Sequence, residues 1–138
     1  MSGAVFTKRW VGRGMAIGDI NNDGLLDAVV TENGGPPHVL LNKIQTSNHW
    51  LGIKLVGHKS NHDGIGAVIK ITTSAGSQWE TVTTSVGYLS SSDPRAHFGL
   101  GKDALAQSVE IRWPSGIVQT LKDVKGDQYV TVDEPVAK

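Results

Sequence analysis

The residues with the clearest chemical potential form the segment DINNDGLLD at positions 19–27. Counted from Asp19, oxygen-bearing side chains occupy positions 1, 3, 5 and 9, and a glycine that permits a sharp turn occupies position 6. Calcium binds about six to eight oxygen ligands and tolerates uneven geometry, so a tight loop with alternating oxygen donors suits it. We therefore expect Ca²⁺ as the cofactor. Its predicted ligands are Asp19, Asn21, Asp23, Asp27 and the backbone carbonyl of Leu25.

Several other interpretations of this segment can be compared with calcium. Three crowded carboxylates repel one another strongly unless a cation neutralises them, which favours a metal. An EF-hand resembles only the first half, because Val30 stands at position 12, where a bidentate glutamate belongs. Magnesium is disfavoured because it requires octahedral geometry and retains its waters. The alternative that stays open is an Asx-rich turn between two strands that binds no metal.

Short β-strands must position this loop. Apolar and polar residues alternate in residues 68–72 and 109–113, which predicts strands with one solvated face. Glycine- and proline-rich turns recur about every ten residues, and long helical periodicity is missing. The sequence therefore predicts an all-β fold, with an N-terminal calcium-loop β-hairpin attached to an antiparallel β-sandwich. The eight predicted strands are 28–31, 39–41, 50–56, 67–73, 78–84, 108–113, 117–121 and 129–132.

A change in composition near residues 44–48 divides the chain into two predicted domains. Residues 1–47 contain the glycine-rich segment with the clustered carboxylates, and residues 48–138 contain the regular alternating strands. Residues 102–107 between two of those strands are long enough for one helical turn at most.

Composition excludes several classes of function. The 138 residues contain 13 Lys and Arg against 13 Asp and Glu, so a general nucleic-acid binder is not expected. No cysteine is present, which rules out disulfides and thiolate metal sites. No apolar run approaches the roughly 18 residues that span a bilayer, so we expect no membrane-spanning segment. Residues 1–10 lack the apolar core of a signal peptide.

Enzymatic chemistry has weak support in the sequence. His58, His62 and Asp63 could suggest zinc, but they lie in a glycine-flanked loop, where residues four apart share no common face. Asp93 and Asp103 could pair with Asp63 in glycoside hydrolysis, yet each lies where aspartate ordinarily caps a turn. No G-x-S-x-G elbow for a serine hydrolase is present. We therefore expect that the protein is not an enzyme.

Aromatic side chains offer a different function, the stacking of sugar rings. Trp50 and Trp113 lie within apolar strands, where core packing is the simpler interpretation. Trp79 precedes Glu80 in a strand with a polar face and is the best candidate for an exposed aromatic residue. Trp79 and Tyr88 are thus the candidate ligand-binding residues of a carbohydrate-binding sandwich.

Two known families resemble this sequence. Residues 13–27 (RGMAIGDINNDGLLD) are similar to an FG-GAP/VCBS repeat, which forms calcium-loop blades of β-propellers. The rest resembles the ASPIC/UnbV domain of the cartilage acidic protein-like family. The order and spacing of the motifs make this second resemblance specific. The motifs are residues 48–51 (NHWL), 61–67 (NHDGIGA), 88–95 (YLSSSDPR), 97–101 (HFGLG) and 111–116 (IRWPSG).

The resemblance also has departures. His62 stands where an arginine is usual, and a closed propeller needs about four to eight blades where one calcium loop is present. The chain is therefore either a fragment of a longer protein or a short relative whose hairpin caps the sandwich. The resemblance further implies that Phe98 and Leu100 anchor a turn by packing inward.

Together, the residues and the resemblance indicate a non-enzymatic, calcium-stabilised extracellular module for adhesion, assembly or protein interaction. We expect a secreted, periplasmic or cell-surface location, because millimolar extracellular calcium would fill even a weak loop. The expected partners are extracellular or surface proteins or glycans, with self-assembly through strand pairing as a further possibility. The alternative is a carbohydrate-binding β-sandwich in which the calcium is purely structural.

Overall fold

The computed structural model describes residues 7–136, and the elements in that range are ten β-strands. The all-β fold class is confirmed. The remaining parts of the two predicted domains, residues 1–6 and 137–138, lie outside the described residues, as does most of the segment compared with a signal peptide. No helix able to cross a membrane occurs within residues 7–136. The strands are β1 (Gly12–Gly18), β2 (Asp27–Glu32), β3 (His38–Leu40), β4 (His49–Val56), β5 (Val68–Thr73), β6 (Gly76–Thr81), β7 (Ala96–Gly101), β8 (Leu105–Arg112), β9 (Val118–Lys125) and β10 (Gln128–Asp133).

The N-terminal strands form a three-stranded antiparallel sheet in the order β1-β2-β3. Ile17 of β1 pairs with Ala28 of β2, which pairs in turn with Leu40 of β3. Strand β1 was not among the predicted strands, because its sequence GRGMAIG is glycine-rich and does not alternate. The predicted hairpin is thus two strands of a three-stranded sheet, and a register shift between Gly12 and Met15 marks a bulge in β1.

Two further sheets form the sandwich, with strand orders β10-β4-β7 and β6-β5-β8-β9. Strand β10 runs parallel to β4, with Gln128 opposite Leu51 and Asp133 opposite Val56. The other strand pairs within the described residues are antiparallel. The predicted antiparallel sandwich therefore contains one parallel pair, which requires a long connection between its strands.

The core lies between these two sheets, because alternate residues of their strands point inward. Burying each Leu, Ile or Phe side chain contributes roughly 1.5–3 kcal/mol. Trp113 is 3% exposed, as the sequence predicts, and its Nε1 donates to Gln119 Oε1 at 3.0 Å. Among the described residues, all buried apolar side chains lie between positions 51 and 132. The largest are Leu51, Ile53, Leu55, Ile69, Ile71, Phe98, Leu100, Ile111 and Trp113.

Two local predictions need correction around β7 and β8. Phe98 and Leu100 do point inward, each 3% exposed, but they lie in β7 and not in a turn. The two glycines of HFGLG obscure the alternation that defines this strand, because glycine presents no side chain to the outer face. Residues 102–107 contain no helical turn either, because β8 begins at Leu105.

Glu134 fastens the end of β10 to the rest of the sandwich. Its side chain is buried, and its Oε2 accepts the backbone amides of His58, Lys59 and Ser60 at 2.8, 2.8 and 2.7 Å. Its Oε1 accepts the hydroxyls of Ser60 at 2.8 Å and Ser115 at 2.5 Å. Burial raises the pKa of Glu134, but the hydrogen bonds from Ser115, Ser60 and His58 outweigh it and lower that pKa to about 2.

The hydrogen-bonded Glu134 carboxylate predicts a specific pH dependence of stability. The pKa of Glu134 in the folded protein lies below the roughly 4.3 of an unfolded glutamate, so its stabilising contribution is complete above that pH. The contribution is lost as the pH falls toward about 2. We expect Glu134→Gln to lower the free energy of unfolding at neutral pH and to flatten its pH dependence between about pH 4.5 and pH 2. Urea unfolding at several pH values measures both effects.

Glu110→Gln is the matched control, because Glu110 pairs with Arg112 on the surface at 2.9 Å. This variant should keep the wild-type pH dependence. If the free energy of unfolding depends on pH in the same way for the wild type and for Glu134→Gln, the interpretation of Glu134 as a stabilising ionised carboxylate is contradicted.

Candidate functional site

The carboxylate loop connects β1 to β2, between two paired strands as the sequence predicts. Asp19 follows the last residue of β1, and Asp27 is the first residue of β2, opposite Gly18. Between them, Asn22 and Gly24 adopt positive φ angles of 57° and 86°. Asparagine and glycine tolerate this region better than other residues, so the sequence permits the loop to turn back within nine residues.

The two carboxylates at the ends of the loop are buried. Asp19 and Asp27 are each 2% exposed. Asp19 Oδ1 accepts the amide of Asp23 at 3.0 Å, and Oδ2 accepts the amide of Gly24 at 2.8 Å. Asp27 accepts the amide of Ile20 at 3.0 Å and that of Asn42 at 2.7 Å. Backbone amides therefore hold both side chains in fixed orientations.

The middle of the loop is more exposed and is organised by Asp23. One carboxylate oxygen of Asp23 accepts the amide of Leu25 at 2.9 Å, and the other accepts the side-chain amide of Asn21 at 2.7 Å. The contact with the Leu25 amide is an Asx turn, of the kind that the metal-free interpretation predicts, and the contact with Asn21 joins two side chains. The five predicted ligand residues thus lie in one compact loop.

No side-chain cation among the described residues forms an ion pair with the carboxylates of the loop. None of the ion pairs within residues 7–136 involves Asp19, Asp23 or Asp27. In the same range, no three His, Asp or Glu side chains are grouped closely enough to bind a metal by themselves. A cation here would need the Asn21 side chain, the Leu25 carbonyl and water as further ligands, and calcium accepts all three. The donor set therefore fits calcium in chemistry.

Side chains from the sandwich hold this loop in place. The Tyr129 hydroxyl donates to Asp19 Oδ2 at 2.8 Å. Burial, followed by the hydrogen bond to Asp19, raises the pKa of Tyr129, so the hydroxyl remains a donor at neutral pH. His97 Nε2 lies 2.9 Å from the Gly24 carbonyl oxygen, and the ring of Trp50 stacks on that of His97 with centroids 5.3 Å apart.

Arg95 contacts the same loop through uncharged oxygens. Its guanidinium binds both carboxylate oxygens of Asp93, and this hydrogen bonding raises the pKa of Arg95. It also donates to Asn22 Oδ1 at 2.7 Å and to the backbone carbonyl of Asp19 at 3.0 Å. Its carbon Cζ lies 4.1 Å from the centre of the Tyr129 ring. The cation therefore supports the loop through its backbone and Asn22, and its charge also attracts the Asp19 carboxylate without forming an ion pair with it.

Sequence reasoning did not assign Tyr129, Arg95 or His97 to this site. They lie 73 to 110 positions from the loop residues that they contact. Arg95 and His97 occur in the motifs that carry the family resemblance, but a motif alone does not identify a partner so distant in sequence.

An open cleft of about 740 Å³ lies beside the loop. Asp23 and Leu25 form one wall, the irregular residues 44–48 form another, and Trp50 lies within it. In the same cleft, His49 Nδ1 lies 2.6 Å from Asp127 Oδ2. The cleft thus combines an aromatic ring with several polar groups.

The aromatic residues predicted to bind a ligand lie elsewhere. Trp79 is 64% exposed on β6, and the amine of Lys70 lies 5.3 Å from its ring centre. Tyr88 is 68% exposed in the connection between β6 and β7. Neither residue lines the cleft. Their function in binding stays a prediction.

The remaining candidate groups do not assemble into one site. His58 pairs with Asp133 at 3.1 Å, and His62 pairs with its neighbour Asp63 at 3.0 Å. Asp93 binds Arg95, whereas Asp103 accepts the amide and hydroxyl of Ser74 on another part of the surface. The structure therefore places the three candidate carboxylates in separate hydrogen-bonded pairs.

The packing of Trp50 against the loop generates a prediction for Gly24. A Cβ at this position would lie 2.0 Å from Trp50 Nε1, and the positive φ adds backbone strain. We expect Gly24→Ala to lower the free energy of unfolding by about 2–4 kcal/mol, which chemical denaturation measures.

Gly34→Ala is the matched control, because Gly34 has a similar φ of 76° but no atom within 4 Å of the point that a Cβ would occupy. This variant should have the backbone strain but no steric clash, so its free energy of unfolding should fall by about 1 kcal/mol. Equal losses in the two variants would show that contact with Trp50 does not constrain the loop.

Comparison with known proteins identifies relatives of this chain. The family model described as ASPIC and UnbV matches residues 57–138. Cartilage acidic protein 1 of Xenopus tropicalis is 33% identical over 126 residues, which cover 88% of this chain and 19% of the relative. The Homo sapiens protein of the same name is 32% identical over 119 residues, covering 84% and 18%. The chain spans about a fifth of the length of these curated relatives.

Proposed function

The chain belongs to the ASPIC and UnbV family, and we propose that it is a non-enzymatic, calcium-stabilised extracellular module for adhesion, assembly or protein interaction. The observation that carries this proposal is the pair of buried carboxylates, Asp19 and Asp27, at the ends of a loop rich in oxygen donors. A buried negative charge is costly unless it is compensated, and the backbone amides supply only partial charges. A divalent cation would complete the compensation.

We propose further that residues 12–40 correspond to a propeller blade of the FG-GAP/VCBS type. The three-stranded sheet carries apolar side chains that the described chain leaves uncovered, among them Met15 at 50% exposure and Val39 at 57%. A blade in a propeller packs its faces against neighbouring blades, so such side chains would be buried there. The predicted domain boundary between residues 47 and 48 is part of this proposal.

Calcium is also the reason for proposing an extracellular location. Sites of weak affinity are filled at the millimolar calcium concentrations outside cells and are empty inside. Relatives named cartilage acidic protein 1 support this location and a partner among extracellular or surface proteins. The separation of Asp63, Asp93 and Asp103 supports a binding function over carboxylate catalysis.

Thermal unfolding with calcium and with a chelator tests the proposal. At about 100 times the dissociation constant, calcium should stabilise the folded state by roughly 2.7 kcal/mol. For a chain of this size, the midpoint should rise by about 5–10 °C. Asp27→Asn should remove most of this increase, whereas Asp63→Asn, on the exposed loop, should retain it.

An identical midpoint for the wild-type protein in calcium and in chelator would contradict the calcium site. Magnesium at the same concentration serves as the ion control. An equal increase in the midpoint with both ions would contradict the preference for calcium.

Carbohydrate binding with a structural calcium is the second candidate. It is favoured by the exposed ring of Trp79 and by the open cleft that contains Trp50 and the His49–Asp127 pair. Aromatic rings stack on sugar faces, and planar polar groups bind their hydroxyls.

A glycan array separates the two candidates and locates the site. If the sandwich face binds sugar, Trp79→Ala should abolish the signal and Asp127→Asn should preserve it. If the cleft binds sugar, the two variants should give the opposite result. No signal above background for the wild-type protein would remove the carbohydrate hypothesis.

A further inference from the structure

We propose that Tyr129 and Arg95 of the sandwich are positioning residues of the calcium loop, so that the sandwich sets the affinity of the loop for calcium. This inference rests on the proposed calcium site and deepens it. The loop would then bind calcium as part of a larger unit, and not as an independent hairpin.

The first step concerns the orientation of Asp19. Its carboxylate accepts two amides from within the loop, of Asp23 and Gly24, and one hydroxyl from outside it, of Tyr129. Within the described residues, Tyr129 is the only group outside the loop that donates to this carboxylate. Groups that bond to a metal ligand fix its direction before the metal arrives, and their loss typically weakens metal binding about 10- to 100-fold.

The second step concerns the backbone of the loop. Arg95 donates to the carbonyl of Asp19 and to the side chain of Asn22, which holds the positive φ of 57°. Asp93 fixes the guanidinium, and the ring of Tyr129 lies against it. Tyr129 and Arg95 therefore support the loop together. Tyr129 contacts the Asp19 carboxylate, and Arg95 contacts the turn at Asn22.

The third step concerns how the N-terminal sheet is joined to the sandwich. Among the described residues, the buried apolar core contains none from β1, β2 or β3. Hydrogen bonds join the two, and they include the amide of Asp93 donating to the Ile17 carbonyl at 3.0 Å and Ser92 accepting the amide of Ile17 at 3.2 Å. Coupling is reciprocal, so calcium that favours an ordered loop also favours the docked sheet.

Calcium titration by isothermal calorimetry tests this inference on three variants of the full chain. Tyr129→Phe retains the ring against Arg95 and Trp50 and removes only the hydroxyl, so the calcium dissociation constant should increase about tenfold. Asn22→Gly removes the acceptor of Arg95, tolerates the positive φ, and should weaken binding in the same direction. Tyr88→Phe is the matched control and should bind as the wild type does.

The outcomes separate the two proposals. A wild-type protein that binds no calcium overturns both. If the wild-type protein binds calcium and Tyr129→Phe binds it with the same affinity, only the positioning role is overturned. Circular dichroism in chelator verifies folding, and Asn22→Gly decides the question if Tyr129→Phe does not fold. In that case, wild-type affinity in Asn22→Gly overturns the inference.

Discussion

The removal of the Asp19 and Asp27 carboxylates from water is the constraint on which this molecule depends. A buried carboxylate must be surrounded by donors or cations, and the chain arranges its N-terminal half to supply donors. Backbone amides of the loop and of Asn42 donate to these carboxylates, and the Tyr129 hydroxyl of the sandwich donates to Asp19. The Arg95 guanidinium holds the loop through the Asp19 carbonyl and Asn22. The position of the N-terminal sheet follows from this arrangement, because the same contacts attach it to the sandwich.

The sandwich and the N-terminal sheet are stabilised by different kinds of contact. The sandwich has a dry core in which Ile, Leu, Phe and Trp side chains from two sheets pack closely. The N-terminal sheet has no comparable core within the described residues, and polar contacts of fixed direction locate it. Polar contacts lose strength steeply when their geometry changes, whereas apolar packing is less directional. A small number of hydrogen bonds, together with the packing of Trp50 against Gly24, therefore specifies the orientation of the N-terminal sheet on the sandwich.

Much of the fold could be predicted from the sequence where side chains alternate regularly. Strands such as β5 and β8 present Ile69, Ile71 and Ile111 to the core at every second residue, so their existence followed from the pattern. Strands β1 and β7 did not follow, because glycines occupy positions where a side chain would reveal the period. The carboxylate loop lies within nine consecutive residues, so the sequence could show it as a loop between two strands. The sequence could not show its supports, Tyr129 and Arg95, because contacts between distant positions leave no local pattern.

The parallel pairing of β10 with β4 has a consequence for synthesis of the chain. Leu51 meets its partner Gln128 only after the intervening 76 residues have left the ribosome, so one edge of β4 stays open while those residues are synthesised. An open apolar edge can pair with the wrong strand, and closing so long a loop slows the correct pairing. The sandwich is therefore most vulnerable to aggregation in the interval before β10 emerges.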